Sequence, residues 1–299
     1  MPTRRHLLAA GGTALLGSGR SARGSTLSDA LGRRLDLPAP PQRIVAIYPA
    51  MVETVFAIGA GDRVIGIGGK VQYPPEALGK PSIGGLLGFS PEAVFALRPD
   101  LVVIAIGTDA DTQLRGPLIA LGVPLLLADY PRFSSILRNV RLLGEALGLP
   151  ARAERLAAAM EEQLGRLSAA VAGRPTPKVY LETGAAGHGS FQTVRAGHYA
   201  DDVIRLAGGR NIFSGLSGPP QVTLEGIAAA DPDRIVVLSS DPGWTAATIA
   251  ARSGWGTLRA VRGGRVSVLP RGFMLIPGPR QIEAVSILAK TIHPEAFAA

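Results

Sequence analysis

Two glutamates stand at matched places in two similar stretches of the chain. Ser90-Pro91-Glu92-Ala93-Val94-Phe95-Ala96-Leu97-Arg98-Pro99-Asp100 leads into an apolar run at 101–104, and Thr223-Leu224-Glu225-Gly226-Ile227-Ala228-Ala229-Ala230-Asp231-Pro232-Asp233 leads into another at 235–237. Each copy has a hydroxyl residue able to cap a helix and a glutamate in the first turn, where the helix dipole favours negative charge. A short apolar helix, a Pro-Asp turn and a buried strand follow. One such glutamate needs no role beyond helix-start electrostatics; a matched pair on matched helices asks for one. Covalent and metal chemistry is poorly provided for. Cysteine is absent, which removes disulfides, thiolate metal sites and cysteine nucleophiles together, and four histidines leave little for a His-rich centre. There is no G-x-S-x-G elbow, no H-E-x-x-H and no phosphate loop, since Lys70 is followed by Val71. Gly59-Ala60-Gly61-Asp62-Arg63-Val64 lacks the third glycine of a dinucleotide fingerprint. Binding, not turnover, is the chemistry these residues offer.

The elements that must position the two glutamates alternate. Nearly continuous apolar runs at 44–47, 64–67, 101–106, 123–127, 179–181, 235–238 and 266–269 read as parallel strands covered on both faces. Helical stretches are predicted at 52–58, 91–97, 116–121, 201–206 and 224–230, so the fold class is α/β, with ligands expected at the carboxyl ends of the strands. The centre differs. Ile136, Val140, Leu143 and Leu147 form one helical stripe, and Leu156, Met160, Leu164, Leu167 and Val171 form another, with Pro150 between them where it can start the second helix. That second helix, predicted over 151–172, is about 33 Å long at 1.5 Å per residue. The map is lobe, long helix, lobe: 25–133, a helical region at 134–173, and 174–299.

Charge and hydropathy narrow the class further. The chain of 299 residues carries a formal charge of +8, half of it on Arg4, Arg5, Arg20 and Arg23 at the N-terminus. The remainder is mildly basic, with no run of like charges and no aromatics interleaved with Lys or Arg, so nucleic-acid binding is disfavoured. Thr3-Arg4-Arg5-His6-Leu7-Leu8 opens a short apolar stretch ending at Leu16. Paired arginines before a segment too short to span a bilayer resemble a twin-arginine export signal over residues 1–24. A soluble periplasmic protein is expected.

At this point the order of several markers becomes specific. They are Gln42-Arg43-Ile44-Val45-Ala46 leading to Pro49-Ala50 and Glu53, then Ala57-Ile58-Gly59-Ala60-Gly61-Asp62-Arg63-Val64-Ile65-Gly66, Tyr73-Pro74-Pro75-Glu76-Ala77, the block from Ser90 to Val103, Gly122-Val123-Pro124, and Pro277-Gly278-Pro279-Arg280. Across residues 42–294 the chain resembles the periplasmic substrate-binding proteins of iron–siderophore, haem and cobalamin ABC importers, the class III periplasmic binding proteins. The resemblance implies two Rossmann-like lobes with parallel sheets joined by one long rigid helix, and a guest held in the cleft between them. It implies that Glu92 and Glu225 dock onto the membrane permease, one on each lobe. It also implies no enzymatic activity, no intrinsic cofactor and a monomer, with a metal-containing small molecule as the transported ligand.

Strand-end position supplies the candidates for the cleft: Tyr48, Glu53, Lys70, Tyr73 and Phe89 in the first lobe, and His188, Trp244, Arg271 and Phe273 in the second. Trp244 and Phe273 are candidate aromatic walls, and Lys70 with Arg271 would suit an anionic guest. An iron chelate, haem, cobalamin or a related metal compound all fit the resemblance. Two alternatives stay open: a metal oxyanion (molybdate-like) receptor of the same family, and a tetrapyrrole chelatase-like enzyme of similar architecture pairing His188 with Glu53 across the cleft.

Overall fold

The apolar runs form two four-stranded parallel sheets. In the computed structural model, residues 24–85, 88–187 and 189–298 are described; the export segment and the candidate His188 lie outside them, as does the side chain of Phe273. The first sheet runs in the order Val64–Ile67, Ile44–Ala46, Leu101–Ala105, Leu125–Ala128. The second runs Arg210–Asn211, Lys178–Glu182, Arg234–Ser239, Val266–Pro270. The inner strands are buried on both faces because helices cover both sides, which is why their sequences show no polar alternation. Each lobe therefore has two apolar clusters, one on each side of its sheet.

Two consecutive helices, Phe133–Ala146 and Pro150–Val171, join the lobes. Pro150 occupies the first turn of the second, where its missing N–H costs nothing. Both helices enter both cores. Val140 and Leu143 of the first helix, with Ala153 and Ala157 of the second, pack in the first lobe. Phe133, Ile136, Met160 and Leu167 pack in the second. A strut buried at both ends resists bending, since a hinge in it would open one core or the other.

Four features depart from the sequence reading. The polar lead before residue 40 contains an antiparallel hairpin, Ser25–Ser28 with Arg34–Leu37. Its Ala30 N–H donates to Leu127 O at 3.0 Å and Arg33 Nη2 to Leu125 O at 3.2 Å, covering the outer edge of the first sheet. A three-stranded antiparallel sheet, Gly184–Gly187, Ser190–Gln192 and Gln221–Thr223, lies in the second lobe, its strands too short and Gly-rich to show a period. The helix expected at 116–121 runs over Asp109–Ala120, with Pro117 inside it, and starts where Thr108 Oγ1 accepts from the Asp111 N–H at 3.2 Å. Finally, Gln281–Ile292 is a helix packed on the second lobe and against the strut.

Candidate functional site

The carboxyl ends of both sheets face a cleft floored by the helix Pro49–Ala57 and by the segment after Met274. Two adjoining cavities occupy it. The first, about 650 Å³, is walled mainly by the first lobe, through Ile47, Tyr48, Lys70, Phe89, Asp109 and Gln113, and is closed by Leu275 and Ile276. The second, about 660 Å³, belongs to the second lobe: Thr183, Thr193, Arg195, His198, Tyr199 and Pro220 line it. Tyr48 and Leu275 border both and form a waist between the halves. Gly107 stands on the wall of the first cavity at φ +78°, a conformation that a side chain would strain. Its turn lets Thr108 cap the Asp109–Ala120 helix and brings Gln113 to the cavity, where its Oε1 accepts from the Phe89 N–H at 2.7 Å.

The phenols and the imidazole at and around the waist are neutral. Burial pushes the phenol of Tyr48 above its ordinary range, and does so strongly for Tyr199 and for Tyr130, whose ring centroid lies 5.9 Å from that of Tyr48. Burial also lowers the pKa of His198, partly opposed by the nearby Asp201 carboxylate. Its Nδ1 accepts from the Ala200 N–H at 3.2 Å and so caps the Tyr199–Leu206 helix. Among the described residues no group of His, Asp and Glu side chains is arranged to hold a metal ion.

Of the candidates read from sequence, Tyr48, Lys70 and Phe89 line the first cavity. Glu53 does not reach it. Its carboxylate is 3% exposed and accepts two hydrogen bonds from Arg280, Nη2 to Oε1 at 2.6 Å and Nε to Oε2 at 3.2 Å, tying the lobes together beneath the cleft. A Cβ on Gly278 would stand 2.7 Å from Glu53 Oε2, so the Pro-Gly-Pro-Arg turn needs its glycine to approach. Burial raises the pKa of Glu53, against the pull of Arg280. Tyr73 belongs to this tie: the Arg280 guanidinium lies 3.9 Å from its ring centroid, and its open side faces a separate hollow with Asp62 and Glu76. The opposition of Glu53 to His188 that a chelatase would use therefore has its acid already paired.

Trp244 is also elsewhere. It packs 4.8 Å from the guanidinium of Arg252, which stacks on Trp255 at 4.7 Å and Phe191 at 5.4 Å. Arg252 is held there by a bidentate pair with Glu182, at 2.8 and 2.9 Å, whose carboxylate is fully buried. This cage braces the small antiparallel sheet from behind. Arg271 is exposed, with Nη1 beside Gly184, and is not among the residues lining either cavity. The side groups that sequence reasoning passes over are Gln113, Thr183, Thr193, Arg195 and Leu275. Only the strand-end position of Thr183 carried a local signal, because 193–199 follows strands too short to recognise.

The two glutamates read as a pair are exposed on opposite lobes. Glu92 accepts from the Ser90 hydroxyl at 2.8 Å, and Ser90 caps the helix Pro91–Ala96. Glu225 lies in the first turn of Leu224–Ala230, capped by Thr223. Their carboxyl groups are held below the usual range, Glu92 first by its own backbone N–H and then by Ser90, Glu225 first by the Thr223 hydroxyl. Both are ionised and outward-facing at neutral pH.

Comparison with known proteins places this architecture. The family model described as periplasmic binding protein matches residues 44–271. An uncharacterized ABC transporter substrate-binding lipoprotein of Bacillus subtilis is 27% identical over 280 residues, covering 91% of this chain and 86% of its own. The vitamin B12-binding protein of Salmonella typhimurium is 30% identical over 201 residues, 65% of this chain and 71% of that one. Among solved structures, the periplasmic heme-binding protein of Roseiflexus sp. RS-1 superposes with a TM-score of 0.73 at 27% identity, covering 85% of this chain and 99% of that one. With two lobes, a straddling helix and a cleft between them, and with a family match over most of its length, the chain belongs to the periplasmic binding protein family.

Proposed function

We propose that this protein is the exported receptor of an ABC importer, holding a metal chelate or metal-bearing macrocycle in the inter-lobe cleft and delivering it unchanged to the permease. The carrying observation is the cleft itself: two adjoining cavities of about 650 and 660 Å³ with a shared waist, between lobes held by a strut buried in both. Either cavity alone is within the size range of small-molecule sites, and both are far larger than a bare oxyanion fills. Among the described residues of the cleft no acid is hydrogen-bonded to a base or nucleophile, and the neutral Tyr48 phenol at the waist, with the Tyr199 phenol and His198 imidazole of the second half, suits contact with a bound guest.

Glu92 and Glu225 are the docking points for the membrane subunits in this reading. Rim charges of this type set orientation and association rate more than affinity, and one on each lobe lets the permease sense both. Export by the twin-arginine route through Arg4 and Arg5 belongs to the same proposal. The experiment is a binding titration of purified protein with hemin, cyanocobalamin and ferric siderophores, followed by native mass spectrometry of the complex. A stoichiometric complex that releases its guest chemically intact is expected. Conversion of the guest, such as metal insertion or removal, would replace the receptor by an enzyme.

A further inference from the structure

The two halves of the cleft differ in chemistry. The first-lobe half has apolar walls, Ile47, Phe89, Leu275 and Ile276, and its one cation, Lys70, shares the cavity with one acid, Asp109. The second-lobe half mixes Thr183, Thr193 and Tyr199 with Val194, Pro220 and Leu275, and its lining carries a single charged side chain, Arg195, and no acid. His198 in the same half is neutral at physiological pH because it is buried.

Unlike three other arginines of the second lobe, Arg195 has no carboxylate partner among the described residues. Arg252 and Arg280 are each fixed on a buried carboxylate, and Arg205 bonds Asp202. Arg195 is exposed to the cleft and makes no hydrogen bond or ion pair among the described residues. A guanidinium alone in a concave, partly apolar site concentrates positive potential there, and its planar fork fits two oxygens of a carboxylate or a similar anion.

We infer that the guest is an amphipathic anion lying across the waist, its apolar body in the first-lobe half against Phe89, Leu275 and Ile276, and its anionic group in the second-lobe half on Arg195. Arg195 is then the residue that selects charged over neutral guests. The inference rests on the receptor reading above, and the two fail in different ways.

The test uses the full mature chain and a panel of probes. Two are anionic, hemin and a ferric tris-catecholate; three are neutral, hemin dimethyl ester, cyanocobalamin and a ferric trihydroxamate. Wild-type protein is expected to bind at least one anion about tenfold or more tighter than the neutral probes. The Arg195→Gln substitution should weaken that anion by about tenfold to a hundredfold, the usual range for a charged hydrogen bond, and leave neutral probes unchanged. Arg195→Lys should recover part of the loss, and Lys70→Gln should cost less, because the cavity of Lys70 also holds the acid Asp109 whereas that of Arg195 holds none. An exposed side chain without partners can be replaced without unfolding the protein, which an unchanged melting temperature would verify. Preference for a neutral probe, or equal losses on hemin and its dimethyl ester in Arg195→Gln, overturns the inference and leaves the receptor standing. Binding of none of the five removes both.

Discussion

Both lobes solve the same corner with different residues. In the first, Arg98 takes φ 48° before Pro99, and Asp100 accepts from the backbone N–H groups of Gln42 and Arg43 at 2.7 and 2.8 Å, fixing the start of the neighbouring strand. In the second, Asp231 takes φ 46° before Pro232, and Asp233 accepts from the Lys178 N–H at 2.8 Å. Even the cation at the strand start is reused. Arg43 donates to Leu97 O and Arg98 O at 2.6 and 3.1 Å, and Lys178 Nζ donates to Ala230 O at 2.9 Å, closing the end of the preceding helix in each lobe. The left-handed residue is basic in one lobe and acidic in the other. What the two copies share is therefore the backbone path and the capping acid, not the side chain at the strained position.

The lobes differ most behind their cleft walls. The first lobe is aliphatic, and its exposed sheet edge is covered by the N-terminal hairpin. The second is braced by an aromatic cage around Arg252 and by a carboxylate with no access to water. Buried carboxylates are ion-paired in both lobes, but only the Arg252–Glu182 pair of the second is enclosed by aromatic rings.

That contrast can be broken by substitution in either lobe. Glu92→Lys and Glu225→Lys should each lower uptake in cells by about a hundredfold, near 3 kcal/mol at 1.4 kcal/mol per tenfold, with ligand affinity unchanged. An effect from one glutamate alone would show that only one lobe docks, and loss of affinity would show that the docking assignment is misplaced. Arg252→Ala should destabilise the protein by about 3–5 kcal/mol in denaturant melts, because it strands the Glu182 carboxylate in the core. Restoring half or more of that loss by adding Glu182→Gln would identify the uncompensated charge as the cause. Ser90→Ala and Thr223→Ala should each cost about 1 kcal/mol, and similar values would confirm that the two caps are equivalent.

The smallest effect is one of pH and belongs to the second lobe. Burial depresses the pKa of His198, so the unfolded chain takes up a proton at this residue before the folded one does. Stability from this group is complete above the ordinary histidine value of about 6.5 and declines as pH falls below it, with a slope of at most about 1.4 kcal/mol per pH unit. His198→Gln should flatten the decline between pH 6.5 and 5 in thermal melts. An unchanged profile in that variant would assign the slope to other groups.

The fold was largely legible because its signals are local. Continuous apolar runs gave the inner strands, the stripe through Met160 and Leu167 gave the strut, and the repeated Glu and Pro-Asp pattern gave the two capped helices. Segments without a period were not legible. The hairpin from Ser25 to Leu37 and the short sheet around Ser190–Gln192 are built from strands of three or four residues, too short for alternation to register. Pro117 disguised the start of a helix whose opening is polar, because a proline is read as a boundary even where tertiary packing carries the helix through it.

By itself the sequence determined two lobes, a rigid connection, and an acidic knob at the start of one helix in each lobe, since spacing within about fifteen residues settles all of these. Only the tertiary structure decided which strand-end residues meet in the cleft. Glu53 and Arg280 are 227 residues apart and find each other under its floor, while Arg195, with no motif around it, arrives at the wall of the second half. Those outcomes depend on how two cores are set against each other by helices buried in both. That placement is a sum over many weak packing contacts distributed along the whole chain, and no single stretch of residues carries it.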